Sequence, residues 1–320
     1  MSSQPARVLV TGGAGFIGSS MVDRLLSEGR EVWAYDSFDA FYPEALKHEN
    51  LQEAARSPAF QLVRGDIRDA ERIERLLREV RFDAVVHLAA LAGVRPSLER
   101  PVAYSDVNVN GTTLLLDACA RHGVRRFLFA SSSSVYGERS QGPFSESDRV
   151  ERPISPYAAT KRAGELIAHT FHHAFDLEIT CARIFTAYGP RQRPDLAIRK
   201  FAERMLRGEA VPIYGDGKSL RDFTYIDDLV NGLVAALDAG LDFAILNFGA
   251  GRTTPVLEVV NALERELGVQ AVLEWLPPQT GDVSTTWADI SAARAVLGYA
   301  PAVAVDEGIA RFAKWLRSRA

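Results

Sequence analysis

Cysteine is nearly absent: Cys119 and Cys181 are the two in 320 residues, and each sits inside an apolar run. That excludes a disulfide scaffold and fits a reducing compartment. No apolar stretch approaches the roughly 20 residues a membrane span needs. Residues 1–7 hold no apolar core, so a secretory signal of the usual form is not expected. Nor is there an excess of positive charge. Lys+Arg 37 against Asp+Glu 41 leaves −4, which argues against broad contact with nucleic-acid phosphates. Internal repeats and low-complexity tracts are missing as well. What remains is ordinary globular composition, 47% hydrophobic and 24% charged, in a length that suggests two domains or one domain with a large lobe. The expectation is a cytoplasmic α/β enzyme or binding protein with neither a nucleic acid nor a membrane as partner.

Apolar spacing predicts strands at residues 7–11, 31–35, 61–63, 84–88, 126–130 and 178–184. Between them it predicts helices at 16–28, after Pro43 to about 56, 70–80, 102–122 and 156–175. Strands alternating with helices mean right-handed crossovers, and six such units predict a doubly wound parallel sheet of the Rossmann kind. After about residue 185, Pro and Gly punctuate shorter elements. The expected division is a dinucleotide-binding domain over 1–185, with 222–250 returning to it. Residues 186–221 and 251–320 would form a smaller substrate-binding lobe.

Thr11-Gly12-Gly13-Ala14-Gly15-Phe16-Ile17-Gly18 sets Gly12, Gly15 and Gly18 between a strand and an amphipathic helix. Small residues are needed there, because backbone N–H groups must approach a pyrophosphate at a positive helix terminus. Asp36 ends the second strand, where a carboxylate accepts hydrogen bonds from ribose hydroxyls and repels a 2′-phosphate, so the expected cofactor is NAD. Asp66 and Ile67, and Leu88, Ala89 and Ala90, follow the third and fourth strands on the same edge. They are the expected contacts to adenine and the adjoining ribose.

Tyr157 and Lys161 lie one helical turn apart on one face. An ammonium beside a phenol lowers its pKa, and a phenolate can act as general base on a hydroxyl whose carbon yields a hydride. Alone the pair is common on solvated helices. It gains meaning from Ser131 to Ser134, directly after the fifth strand, whose hydroxyls are expected to hang over the edge that carries the glycine loop.

The glycine loop, Asp36, Ser132, Tyr157 and Lys161 resemble the extended short-chain dehydrogenase/reductase family across essentially the whole chain, and its nucleotide-sugar 4-epimerases most. The resemblance implies Ser132, Tyr157 and Lys161 as catalytic, with Ser133 and Ser134 beside them at the substrate. It also implies Arg221 on the diphosphate, Tyr214 against the base and Asp282 on the substrate ribose. Gln279 stands where many members carry Arg. The family's 4,6-dehydratases have Thr-Asp-Glu where this chain has Ser132-Ser133-Ser134, and its UDP-glucuronate decarboxylases have Glu at Ser134, so neither lyase fits. Thr186-Ala187-Tyr188-Gly189-Pro190-Arg191-Gln192-Arg193-Pro194-Asp195 looks like the UDP-glucuronate 4-epimerases, as do residues 39–47 and the segment around Arg95. That branch implies Thr186 and Arg193 on the sugar carboxylate, and interconversion of UDP-glucuronate with UDP-galacturonate. UDP-glucose 4-epimerisation is the main alternative; decarboxylation and a non-catalytic dinucleotide-sensing role are less favoured. His169 and His173 have metal-ligand spacing without a third ligand, so no metal is expected. The family also implies a homodimer built on the 102–122 and 156–175 helices.

Overall fold

The run RVLVT forms β1 (Arg7–Thr11), buried along all but its first residue. A strand buried on both faces belongs inside a parallel sheet, and β1 lies in the middle of one. In this computed structural model, which describes residues 4–139, 141–277 and 283–319, seven parallel strands form the sheet. They run in the order Phe243–Phe248, β6 (Glu178–Ile184), β5 (Arg126–Ser132), β4 (Ala84–His87), β1, β2 (Glu31–Asp36) and β3 (Phe60–Arg64). The fold is thus the doubly wound Rossmann-type sheet that the alternation predicts. Val8 and Val10 face one core with Val86 and Leu128, while Leu9 faces the other with Val85, Phe127 and Phe129. The order reverses between β1 and β4, and ligands of such sheets bind in the crevice at the strand ends there.

The helices that shape this edge are α1 (Phe16–Ser27), α2 (Glu44–Asn50), α3 (Ala70–Val80), α4 (Val94–Glu99), α5 (Pro101–Ser105), α6 (Thr112–Arg121) and α7 (Pro156–Phe175). The start of α7 is fixed locally: the Ser155 side chain accepts from Ala158 N, and Pro156 takes the first turn. Gly164 then lets α7 lie against β5, since a Cβ there would strike the Phe129 ring.

Two expectations need correction. The single helix over 102–122 is broken by one π-helical turn, Asp106–Gly111, between α5 and α6. Asn108 causes the break: its side chain accepts from Leu91 N at 2.8 Å and donates to Leu91 O and Thr160 Oγ1 at 3.0 and 3.1 Å. Second, β5 does not end before the serines but includes Ser131 and Ser132.

Beyond the sheet, short pairs knit the rest of the chain: Thr186–Tyr188 with Phe223–Tyr225, Leu220–Arg221 with Thr254–Pro255, and Val211–Tyr214 with Leu273–Leu276. Asp222, fully buried, draws three segments together by accepting N–H groups from Ala250, Gly251 and Ala288 at 2.6, 3.1 and 3.1 Å. Burial pushes its carboxyl up to about 6, against those hydrogen bonds.

Candidate active site

A cavity of about 560 Å³ opens at the carboxyl edge of the sheet. The structure brings to its wall Gly12, Gly15, Phe16, Ile17, Gly18, Asp36, Asp66, Ile67, Leu88, Ala89 and Ala90, the residues expected at a dinucleotide. Arg95, Ser132, Ser133, Ser134, Tyr157, Lys161, Thr186, Arg193 and Arg221 line the same space. Tyr214 does not reach the wall directly; the Arg95 guanidinium lies 5.0 Å from its ring centroid and stands between. Asp282, with Gln279, lies outside the described residues.

The end that would hold a dinucleotide has the shape for it. Gly12 has φ +69, and a Cβ there would come within 2.7 Å of Ala89 N. A Cβ on Gly18 would collide with the Gly12 carbonyl oxygen. Substituents are therefore excluded where the first turn of α1 begins. That helix has neither a side-chain cap nor an acidic residue in its first turn, so its leading N–H groups are open to an anion. At the end of β2, Asp36 accepts from Ala14 N at 3.1 Å and Phe38 N at 2.8 Å, with Lys47 Nζ at 3.4 Å. A carboxylate fixed this way and lining the cavity suits ribose hydroxyls. These residues fit NAD.

The reactive end is built on β5 and α7. Ser132 Oγ accepts from Ser134 N and Ser134 Oγ at 3.2 and 3.0 Å. Its proximity to the Tyr157 phenol favours the ionised form of that group. Lys161 Nζ donates to Ala130 O at 2.7 Å and lies 6.0 Å from the Tyr157 ring centroid. Burial brings the Lys161 ammonium down to about 8. The same burial raises the Tyr157 phenol, with the Ser132 hydroxyl and the Arg193 guanidinium opposing. The expectation that Lys161 would lower the phenol is thus corrected: desolvation outweighs its neighbours, and the charge acting on the phenol comes from Arg193.

Ser131 also departs from expectation. Its hydroxyl turns inward and donates to Glu165 Oε1 at 2.6 Å. Glu165 is one turn beyond Lys161 on α7 and receives Arg183 Nε and Nη2 at 2.8 and 2.9 Å, both side chains essentially inaccessible. Arg183 Nη1 donates to Tyr136 Oη at 3.1 Å, whose hydroxyl donates to Asn247 Oδ1 at 2.7 Å. A buried ion pair thus ties β6 to α7 behind the reactive residues, with β5 joined to it through Ser131. Arg183 inside the apolar run EITCARI was the sequence signal for it, since a charge in a buried strand demands a partner.

Arg193 Nε and Nη2 donate to the two Asp195 oxygens at 2.9 and 2.8 Å. Its guanidinium lies 5.4 Å from the Phe41 ring centroid. Tyr104, on α5, presents its ring edge-on to Tyr157 at 6.3 Å and donates to Ala92 O at 2.8 Å. Sequence reasoning passed over Tyr104 and Asn108. Of the histidines, His169 packs edge-on against Phe243 and His172 Nδ1 lies 2.9 Å from Leu177 O. The described residues contain no group of three or more His, Cys, Asp or Glu arranged to hold a metal ion.

Known proteins resemble this chain in sequence and fold. Over 308 residues the chain is 41% identical to a UDP-glucuronate 4-epimerase of Thermodesulfobacterium geofontis, covering 96% of this chain and 95% of the relative. The structure superposes on UDP-glucuronic acid 4-epimerase from Bacillus cereus in complex with UDP-glucuronic acid and NAD, with a TM-score of 0.92, 37% identity and 98% and 100% of the two chains covered. It also matches DesIV, a dTDP-glucose 4,6-dehydratase from Streptomyces venezuelae with NAD bound, with a TM-score of 0.91, 34% identity and 98% and 97% covered. Backbone shape alone therefore does not separate epimerase from dehydratase, and the side chains must. Residues 8–249 match the NAD dependent epimerase/dehydratase family, and the chain belongs to that family.

Proposed function

We propose that the chain is an NAD-dependent 4-epimerase that interconverts UDP-glucuronate and UDP-galacturonate through a transient 4-keto sugar. The observation that carries this reading is the placement of Arg193 in the same cavity as Tyr157, close enough to act on the phenol's charge. The relatives named as UDP-glucuronate 4-epimerases support it. So does the absence of a carboxylic acid at positions 132–134, where the lyases of the family carry one.

NAD, held by Gly12, Gly15, Gly18 and Asp36 with Ile67 and Ala89 nearby, supplies a reversible hydride acceptor. Tyr157 takes the C4 hydroxyl proton and later returns it, acting as general base and then general acid. The Ser132 hydroxyl, beside that phenol, aligns the sugar oxygen. Arg193 favours the ionised phenol, with Lys161 one turn away on α7. Thr186 and Arg193 hold the sugar carboxylate, with Ser133 and Ser134 completing the wall. A β-keto acid loses CO2 when its carboxylate stands perpendicular to the ketone plane, and the grip keeps it from that alignment while the ring turns over. Arg221 meets the diphosphate, and Arg95, stacked on the Tyr214 ring, the uracil end.

By this reading residues 1–185 with 222–250 form the cofactor domain, and 186–221 with 251–320 the sugar-nucleotide lobe. We place the enzyme in the cytoplasm, in keeping with its two buried free thiols. No described helix is long and apolar enough to cross a membrane. The partner of α4, α5 and α7, which pack on one another, is a second copy of the chain: Leu98, Val102 and Leu166 are 46%, 81% and 54% exposed there. The test is incubation with UDP-glucuronate, resolving products by anion-exchange chromatography, with UDP-glucose in parallel. A mixture of the two uronates without pentose is expected. Turnover of UDP-glucose alone, or a UDP-pentose product, overturns the reading.

A further inference from the structure

The loop that carries Arg193 holds another arginine in a backbone conformation its type avoids. Gln192 N donates to Gly189 O at 3.2 Å, closing a turn with Pro190 and Arg191 at its two central positions. Arg191 has φ +67. Proline followed by a positive φ is type II turn geometry, whose second central residue is normally Gly or Asn. An arginine there is strained, and such strain persists where surrounding contacts enforce it. The enforcing contact reaches α1: Arg191 Nη1 donates to Asp23 Oδ2 at 2.6 Å. The two side chains are 19% and 30% exposed, so solvent screens the pair only in part. Glycine would meet the backbone's demand without strain; what arginine adds is the pair with Asp23.

The turn is held from two directions. Gln192, 1% exposed, donates Nε2 to Ala187 O at 3.1 Å and accepts from Arg199 N at 3.0 Å, while Arg199 Nη1 donates to Gln192 O at 2.7 Å. That clasp fixes the loop to the helix Ala197–Leu206. Arg191 fixes it to α1, from whose first turn Phe16, Ile17 and Gly18 line the cavity. Arg193 lines the same cavity two residues beyond Arg191, so its guanidinium is carried on the turn that the pair anchors.

We propose that Arg191 is a positioning residue: its ion pair with Asp23 holds the turn against α1 and thereby sets where Arg193 stands in the cavity. The proposal rests on the reading above, in which Arg193 meets the sugar carboxylate. The test is the Kd of the NAD-loaded enzyme for UDP-glucuronate and for UDP-glucose, by calorimetry. Arg191→Gly relaxes the turn and deletes the pair; Asp23→Ala deletes the pair without touching the loop. Each should raise the Kd for UDP-glucuronate about tenfold, as expected for a displaced charge-assisted contact, and move that for UDP-glucose less than about twofold. Arg191→Gly/Asp23→Ala should bind no more weakly than either single variant, and Arg191→Lys should recover most of the affinity. Equal losses on both ligands would show a general structural role and overturn the proposal. So would a wild-type preference for UDP-glucuronate kept in the single variants, or losses that multiply in the double. A wild type that binds the two ligands equally overturns the functional reading itself, and this proposal with it.

Discussion

Replacing Arg193 with Ala removes two things at once. One is the charge-assisted contact to the substrate carboxylate, worth about 1.5–3 kcal/mol, or roughly 10- to 100-fold in kcat/KM at about 1.4 kcal/mol per factor of ten. The other is the partner of Asp195, which Arg193 now grips through two nitrogens. Two carboxylates sharing one guanidinium lie roughly 6 Å apart, and at an effective dielectric of about 20 their repulsion is about 3 kcal/mol. The Arg193 and Asp195 side chains are 19% and 37% exposed, so solvent screening reduces that to about 1 kcal/mol, near fivefold. The single variant should therefore lose more than the contact itself. Arg193→Ala/Asp195→Ala should recover about fivefold on UDP-glucuronate, because the unpaired acid is gone. Both should act more mildly on UDP-glucose, which lacks the carboxylate. The assay is initial-rate chromatography of products below KM, with all four members of the cycle on both substrates. A double variant no better than the single refutes the shared-guanidinium geometry. An Arg193→Ala enzyme with unchanged kcat/KM for UDP-glucuronate refutes the carboxylate assignment altogether.

Burial holds Lys161 at about 8, below the ordinary lysine range. Its charge should therefore be lost as pH rises through about 8, and kcat/KM should show an alkaline limb there. A group whose cation is disfavoured in the fold weakens stability below its native pKa. Between about pH 8 and 10.5 the native state releases a proton that the unfolded chain still holds, so wild type should gain stability on Lys161→Met across that window, as read by urea denaturation at several pH values. A gap moving the other way sinks this argument. Glu165→Ala leaves the Arg183 guanidinium, 1% exposed, without its partner. The expected cost is about 3–5 kcal/mol, or a melting temperature lower by about 6–10 °C in a chain of this size. Adding Arg183→Met should restore a large part of it, and an unchanged melting temperature in the single variant would show that the pair is not a structural tie.

Elements fixed by local chemistry were legible in the sequence. The β1 run, the three glycines, the α1 periodicity and Asp36 each act within a few residues of one another. Tyr157 and Lys161 announce their shared face by spacing alone. What escaped depends on contacts between distant segments. The π-helical turn exists because Asn108 bonds to Leu91 and Thr160, and nothing in the helical pattern of 102–122 signals those partners. Ser131 turns inward because Glu165 and Arg183 wait behind it, on two other elements. The Tyr157 phenol was misjudged because spacing reveals a nearby cation but not the depth of burial, and here burial is the larger effect.

The position of the Phe243–Phe248 strand also bears on how the chain is made. It completes the sheet beside β6, yet residues 186–225 and the helix Ile226–Ala239 must leave the ribosome before it does. Until then β6 presents an open row of backbone donors and acceptors, the kind of edge that recruits other chains. His169 and His172 on α7 likewise lack the Phe243 ring that packs against them. A nascent chain stalled after residue 185 would therefore carry the glycine loop, Asp36 and the reactive pair with its sheet unfinished. The half that looks self-sufficient on paper depends on a strand delivered from the other half, and shortening the chain to it should cost solubility before it costs cofactor recognition.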